Sequence, residues 1–170
     1  YIAGGWALDL YANNISRIHS DIDIAMFRKD QHLLFDSLSS WNFKKAIDGE
    51  LIEWSKSEWL ELPVHEVYAL NDNYSPTKIE FLLNECSNKE WLYRRDLSVT
   101  IPLKRLGSIT ALEIPILNPE IILLYKAKNP RKKDIEDFEN IRESLKQEQK
   151  KWLKHSLEKC HPNHSWLDYL

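Results

Sequence analysis

The sequence predicts an α+β fold, with a mixed β-sheet flanked by helices and a helical C-terminal part. Three observations predict it. A strand, a Gly4-Gly5 turn and a helix follow one another at the start, and short alternating runs separated by turn signals fill residues 41–114. From Asn118 onward, apolar residues recur at spacings of three and four.

Tyr1 to Ala3 read as the end of a buried strand, Gly4-Gly5 as a tight turn and Trp6 to Tyr11 as a helix opening from it. Asn13-Asn14 can close that helix, because Asn tolerates the left-handed conformation. A polar loop, Ile15 to Ser20, leads into the alternating strand Asp21 to Phe27, with Ile22 and Ile24 facing the core. Asp30 is an N-cap, and Leu33, Leu34 and Leu38 predict a helix of about three turns ending at Ser39-Ser40. Strand-like runs follow at Phe43–Ile47, Leu51–Trp54, Val64–Leu70, Lys78–Leu83 and Ser98–Ile101. Asp48-Gly49, Asn71-Asp72-Asn73, Ser75-Pro76 and Gly107-Ser108 are the turn signals. Asn118-Pro119 starts a helix that reaches Lys128, with Asn as the cap and Pro at the first helical position. Ile135, Phe138, Ile141 and Leu145, then Leu153, Leu157 and Cys160, mark the helices that close the chain. Residues 1–114 therefore form the expected core and 115–170 a helical part that can belong to the same domain. The chain starts without Met, inside what reads as a strand, so native residues are expected before Tyr1.

Composition narrows the function classes. With 170 residues, 43% apolar and 29% charged, the chain can bury a core and is not a disordered segment. Its 23 Lys and Arg against 26 Asp and Glu give a net charge of −3, which offers no footprint for long nucleic acid and suits a small substrate, cationic ones included. Cys86 and Cys160 are far apart and lack metal-ligand spacing, so they read as buried thiols of a cytoplasmic protein. The most apolar stretch, Ile114 to Tyr125, is broken by Pro115, Asn118, Pro119 and Glu120 and is too short to span a membrane.

Chemistry concentrates at Asp21 and Asp23. One apolar residue separates them, so on a strand both carboxylates emerge on one face about 6.6 Å apart. Two hard oxygen donors at that spacing suit Mg²⁺, which takes few carboxylates and completes its shell with water and phosphate. The Gly4-Gly5 turn supplies the complement, since glycine lets a phosphate approach the backbone and a helix N-terminus favours an anion.

Gly4-Gly5-Trp6-Ala7-Leu8-Asp9-Leu10, then Arg17, His19, Ser20 and Asp21-Ile22-Asp23-Ile24, resemble the signature of aminoglycoside adenylyltransferase-like proteins in the polymerase-beta-like nucleotidyltransferase superfamily. The likeness resumes at Leu124-Tyr125-Lys126-Ala127-Lys128-Asn129-Pro130-Arg131 with Lys133-Asp134, and at His161-Pro162 and Trp166-Leu167. It spans most of the chain, although the middle segment has no close match and Asn13-Asn14 replaces the family's usual glycine turn.

The resemblance implies a nucleotidyltransferase-type sheet and a site with a third carboxylate from a neighbouring strand. Glu80, in Ile79-Glu80-Phe81, fits that setting best, as general base, metal ligand or both, and Glu66 is the competitor. It also implies transfer of AMP from ATP to a hydroxyl of a small molecule, an aminoglycoside-type antibiotic among the candidates. Two Mg²⁺ ions would be held by Asp21, Asp23 and Glu80, while Gly4, Gly5, Ser20 and Lys126 contact the nucleotide. Arg131 and Lys133 are alternatives to Lys126, and His19 can position phosphate or acceptor. Trp54 and Trp59 are candidate stacking surfaces. Glu50, Glu53, Glu58, Glu61 and Glu66 form an acidic segment expected to line the acceptor cleft and attract polycations. Two other readings share these residues: a nucleotide-binding module that performs no transfer, and a transferase acting on a protein hydroxyl.

Overall fold

The computed structural model describes all 170 residues. Its helices and strands run in the order α1 (Gly4–Ala12), β1 (Asp23–Phe27), α2 (Leu33–Ser37), β2 (Asn42–Ile47), β3 (Glu50–Glu53), β4 (Glu66–Leu70), β5 (Lys78–Cys86), β6 (Glu90–Leu92), β7 (Thr100–Pro102), β8 (Gly107–Ile109), β9 (Pro115–Leu117), α3 (Pro119–Lys126), α4 (Lys132–Ile141) and α5 (Gln147–Cys160). The expected α+β class is the fold observed. A seven-stranded mixed sheet runs β3-β2-β4-β5-β6-β7, with β1 parallel to β5. β8 and β9 form a separate ribbon.

The period-two alternation of β1, β4 and β5 divides the sheet into two faces. Ile24, Met26, Val67, Ala69, Phe81 and Leu83 point to one side, where α2 and the segment around Trp54 and Leu60 close a small core. Asp23, Glu66, Tyr68 and Glu80 share the other face, as their register requires. The larger core on that second side draws on α1, β7, β9, α3, α4 and α5 together. One apolar cluster thus crosses the 114/115 position.

Several elements differ from the sequence expectations for local reasons. Gly4 and Gly5 are the first turn of α1, not a turn preceding it. Asn13 closes α1 in the left-handed conformation at φ 52°. The three-turn helix after Asp30 is reduced to a 3-10 turn, Arg28–Asp30, and the short α2. Buried side chains bend the chain there: the Arg28 guanidinium donates to Glu85 at 2.6 Å and to the Val64 carbonyl at 2.7 Å, and Gln31 Oε1 accepts from the Leu60 amide at 2.8 Å. Gly107-Ser108 is strand and not turn, because a Cβ at Gly107 would stand 2.5 Å from the Ile116 carbonyl oxygen. Glycine lets β8 approach β9 that closely. Asn118 precedes α3 as expected, with Pro119 at the first helical position, but its side chain donates to the Arg105 carbonyl at 2.8 Å instead of capping the helix.

Candidate active site

The short link between the N-terminal segment and α1 builds the site. Tyr1–Ala3 lies beside β1, with the Ala3 amide donating to the Asp23 carbonyl and the Ala25 amide to the Tyr1 carbonyl, both at 2.8 Å. α1 therefore begins beside Asp23. A Cβ on Gly4 would lie 1.8 Å from Asp23 Oδ2, and Gly4 itself sits at φ +58°. Only glycine satisfies both conditions. Gly5 serves a different neighbour: a Cβ there would meet His19 Cε1 at 2.4 Å and Arg17 Nη2 at 2.5 Å. The second glycine thus makes room for the loop before β1, not for the cleft.

That loop folds back onto α1 through Asp9. Its carboxylate accepts from Ser16 Oγ at 2.6 Å and lies 2.6 Å from His19 Nε2, while His19 also packs on Trp6 at 4.7 Å between ring centroids. His19 is buried in this support, away from the cleft. Ser20 is exposed and does not line the cleft.

Asp23 on β1 stands opposite Glu80 on β5, and Glu80 stands opposite Tyr68 on β4. Both carboxyls are half-buried. Burial, then the charge of Asp21, raises the pKa of Asp23. Burial, then the charges of Asp23 and Glu66, pushes Glu80 up to about 7. Glu66 lies one strand further away, paired with His65 at 3.1 Å, and that bond holds its pKa below the usual value. Of the two candidates for a third carboxylate, Glu80 is the one across from Asp23.

No three His, Cys, Asp or Glu side chains converge into a ready-made metal cluster. The protein offers instead two adjoining carboxylates, Asp23 and Glu80, with Asp21 contributing further negative charge. Such an uncompensated, oxygen-only donor set fits a hard cation whose shell is finished by water and phosphate.

A cleft of about 240 Å³ opens beside Gly4 and Asp23 and extends past Glu66 to Arg94, Tyr125 and Lys126. Lys126 lines it, but its ammonium already bonds Asp134 at 2.6 Å and Asp137 at 2.9 Å. Asp134 also accepts from Arg131 at 2.8 Å, and Asp137 from Arg17 at 3.1 Å. Burial would raise both aspartates, yet Arg131 and Lys126 hold Asp134 well below the carboxylate range, and Arg17 and Lys126 lower Asp137. This network ties α3, α4 and the Asp21 loop together. Lys133 is not among the residues lining the cleft.

Two sequence expectations are corrected. Trp54 is 3% exposed, and its indole donates to the Glu58 carbonyl at 2.9 Å within the small core, so it stacks on no ligand. Trp59 is exposed and packs edge-on to His32, outside the cleft. The acidic segment does not line the cleft either. Glu50 and Glu53 sit on the edge strand β3, Glu58 pairs with Lys45, and only Glu66 of the five reaches the cavity. What sequence reasoning missed is Arg94, whose only local signal is a basic pair starting three residues beyond the buried Trp91.

The sequence matches the aminoglycoside-2''-adenylyltransferase family over residues 1–141. No curated protein matches it. Two solved structures share the fold at 16% identity. One is the lincomycin-bound crystal structure of the lincosamide antibiotic adenylyltransferase LnuA, covering 85% of this chain and 86% of that one with a TM-score of 0.57. The other is the solution structure of the antibiotic-resistance factor ANT(2'')-Ia, covering 95% of this chain and 83% of that one with a TM-score of 0.59.

Proposed function

The chain belongs to the aminoglycoside-2''-adenylyltransferase family and is an adenylyltransferase, and from that premise we propose that it moves AMP from ATP to a hydroxyl of a small-molecule antibiotic. The observation that carries this reading is the Asp23–Glu80 pair, set across two parallel strands beside the N-terminus of α1, with Asp23 at the wall of the cleft. An amide-rich helix start favours phosphate, and an acidic pair nearby suits in-line attack on it.

In the reaction the acceptor oxygen forms a bond to the α-phosphorus while the bond from that phosphorus to the bridging oxygen breaks. The acceptor proton passes to Glu80 and pyrophosphate leaves with the bridging oxygen. A carboxylate across from Asp23 can take that proton and release it to solvent. Asp21, Asp23 and Glu80 are the residues that would hold Mg²⁺, two ions in this reading, and bound metal supplies charge neutralisation of the triphosphate and activation of the acceptor hydroxyl. Gly4 allows close approach to the first-turn amides of α1. Lys126 acts through Asp134 and Asp137 as a positioning residue, holding α3 against α4 at the back of the cleft. No helix is long and apolar enough to cross a membrane, and ATP as donor sets the reaction in the cytoplasm.

The test is pyrophosphate release from a panel of nucleoside triphosphates with hydroxylated antibiotics, aminoglycosides and lincosamides included, with the product identified by its added nucleotide mass. Release that requires ATP, an acceptor and Mg²⁺ is expected. A panel in which no pair exceeds the Asp23→Asn background would end this reading.

A further inference from the structure

Five potentially cationic side chains border the cleft: His65, Arg94, Arg95, Lys126 and Arg131. Four already have partners. Lys126 and Arg131 are bound to Asp134, His65 to Glu66, and Arg95 donates to the Tyr125 carbonyl at 2.9 Å and approaches the Tyr93 hydroxyl at 3.3 Å. Arg94 is different. Its guanidinium makes no hydrogen bond or ion pair and lies over the face of Tyr125, 5.6 Å from the ring centroid, with the charge of Glu66 nearby. It is nevertheless half-buried, and burial lowers its pKa. Trp91 and Tyr93, both 0% exposed, anchor the backbone just before it. A guanidinium carries five donors and no acceptor, and one that lines a cleft without a protein partner is free to receive an anion.

We propose that Arg94 is the side chain that holds the triphosphate tail of the nucleotide and, after transfer, the departing pyrophosphate. The proposal rests on the nucleotidyltransferase reading above. Charge complementarity selects the nucleotide over the acceptor, since the planar guanidinium matches phosphate oxygens two at a time, whereas a polycationic antibiotic would be repelled there. The residue that family likeness suggests for this work, Lys126, is already saturated by two buried aspartates. The cleft carries Asp23 beside Gly4 and, with Glu66 nearby, one guanidinium bound to no acceptor at Arg94, which a ligand with a reacting α-phosphate and an anionic tail would engage.

Calorimetry with Mg·ATP, inorganic pyrophosphate with Mg²⁺, and AMP tests this on the full chain, with Arg94→Gln and Arg94→Lys and a melting curve for each. Binding of ATP and pyrophosphate should weaken at least about tenfold in Arg94→Gln. Arg94→Lys should keep part of the affinity, and AMP should change by less than about threefold. A folded Arg94→Gln protein that binds ATP within about twofold of the parent would overturn the assignment while leaving the transferase reading standing. Equal losses for AMP and ATP would also overturn it, by making Arg94 a support for the whole pocket. A parent protein that binds no nucleoside triphosphate would sink the transferase reading together with this one.

Discussion

Asp23 and Glu80 stand directly opposite each other on the parallel strands β1 and β5, so the charge of Asp23 opposes the ionisation of Glu80. Replacing Asp23 with Asn removes the largest charge acting on Glu80 and leaves burial in place. In the metal-free protein the Glu80 carboxyl should then titrate below about 7 and closer to its ordinary value, as followed by carbon-detected NMR. Turnover should fall by about a thousandfold or more in Asp23→Asn and Asp21→Asn, with the circular dichroism spectrum unchanged. An unmoved Glu80 titration, or near-normal turnover, would show that the pair does not act as one unit.

Gly4 and Gly5 should fail in different ways. Gly4→Ala forces a methyl onto Asp23 Oδ2 in a left-handed backbone conformation, so both activity and about 1–2 kcal/mol of stability should be lost. Gly5→Ala crowds His19 and Arg17 instead and should loosen residues 16–19, seen as faster amide exchange there. Equal kinetic and exchange behaviour in the two variants would contradict the separate neighbours that each glycine has.

Lys126→Met should destabilise the fold by about 3 kcal/mol, because Asp134 and Asp137 would lose the ammonium between them while remaining buried. Lys132→Met is the control, its side chain being 92% exposed and 3.8 Å from Glu136, and it should leave the urea midpoint unchanged. Similar midpoints for the two variants would deny the buried network its structural role.

Glu120, 1% exposed and bonded by Gln149 Nε2 at 2.8 Å, is pushed up to about 7 mainly by burial. The folded state therefore holds this proton more tightly than the unfolded chain does. Its stabilising contribution is complete below the unfolded value of 4.5 and is lost as pH rises through about 7. Urea unfolding at pH 5 and pH 8 should show the parent losing on the order of 2 kcal/mol relative to Glu120→Gln across that interval. Parallel pH profiles for the two proteins would rule this out.

The parts of the site set by neighbouring residues could be read from the sequence. Asn13 at the end of α1 and Pro119 at the start of α3 act within a few residues. What could not be read depends on distant partners. Gly5 serves residues twelve and fourteen positions away, Lys126 is occupied by aspartates on another helix, and Arg94 is conspicuous only once its neighbours have been paired off. The acidic run from Glu50 looked like a cleft wall, but strand order decides where β3 lies, and no local pattern carries that order. β8 and β9 are three residues each, too short for periodicity to reveal.

The two apolar clusters impose a timetable on synthesis. Every member of the smaller one lies between Leu34 and Leu83, so it can close while the rest of the chain is still on the ribosome. The larger one needs Leu153, Leu157 and Trp166, which emerge last, so the side of α3 that α5 covers waits until the end of translation. A nascent chain arrested before α5 would therefore present the apolar side of α3 to chaperones while the smaller cluster is already closed.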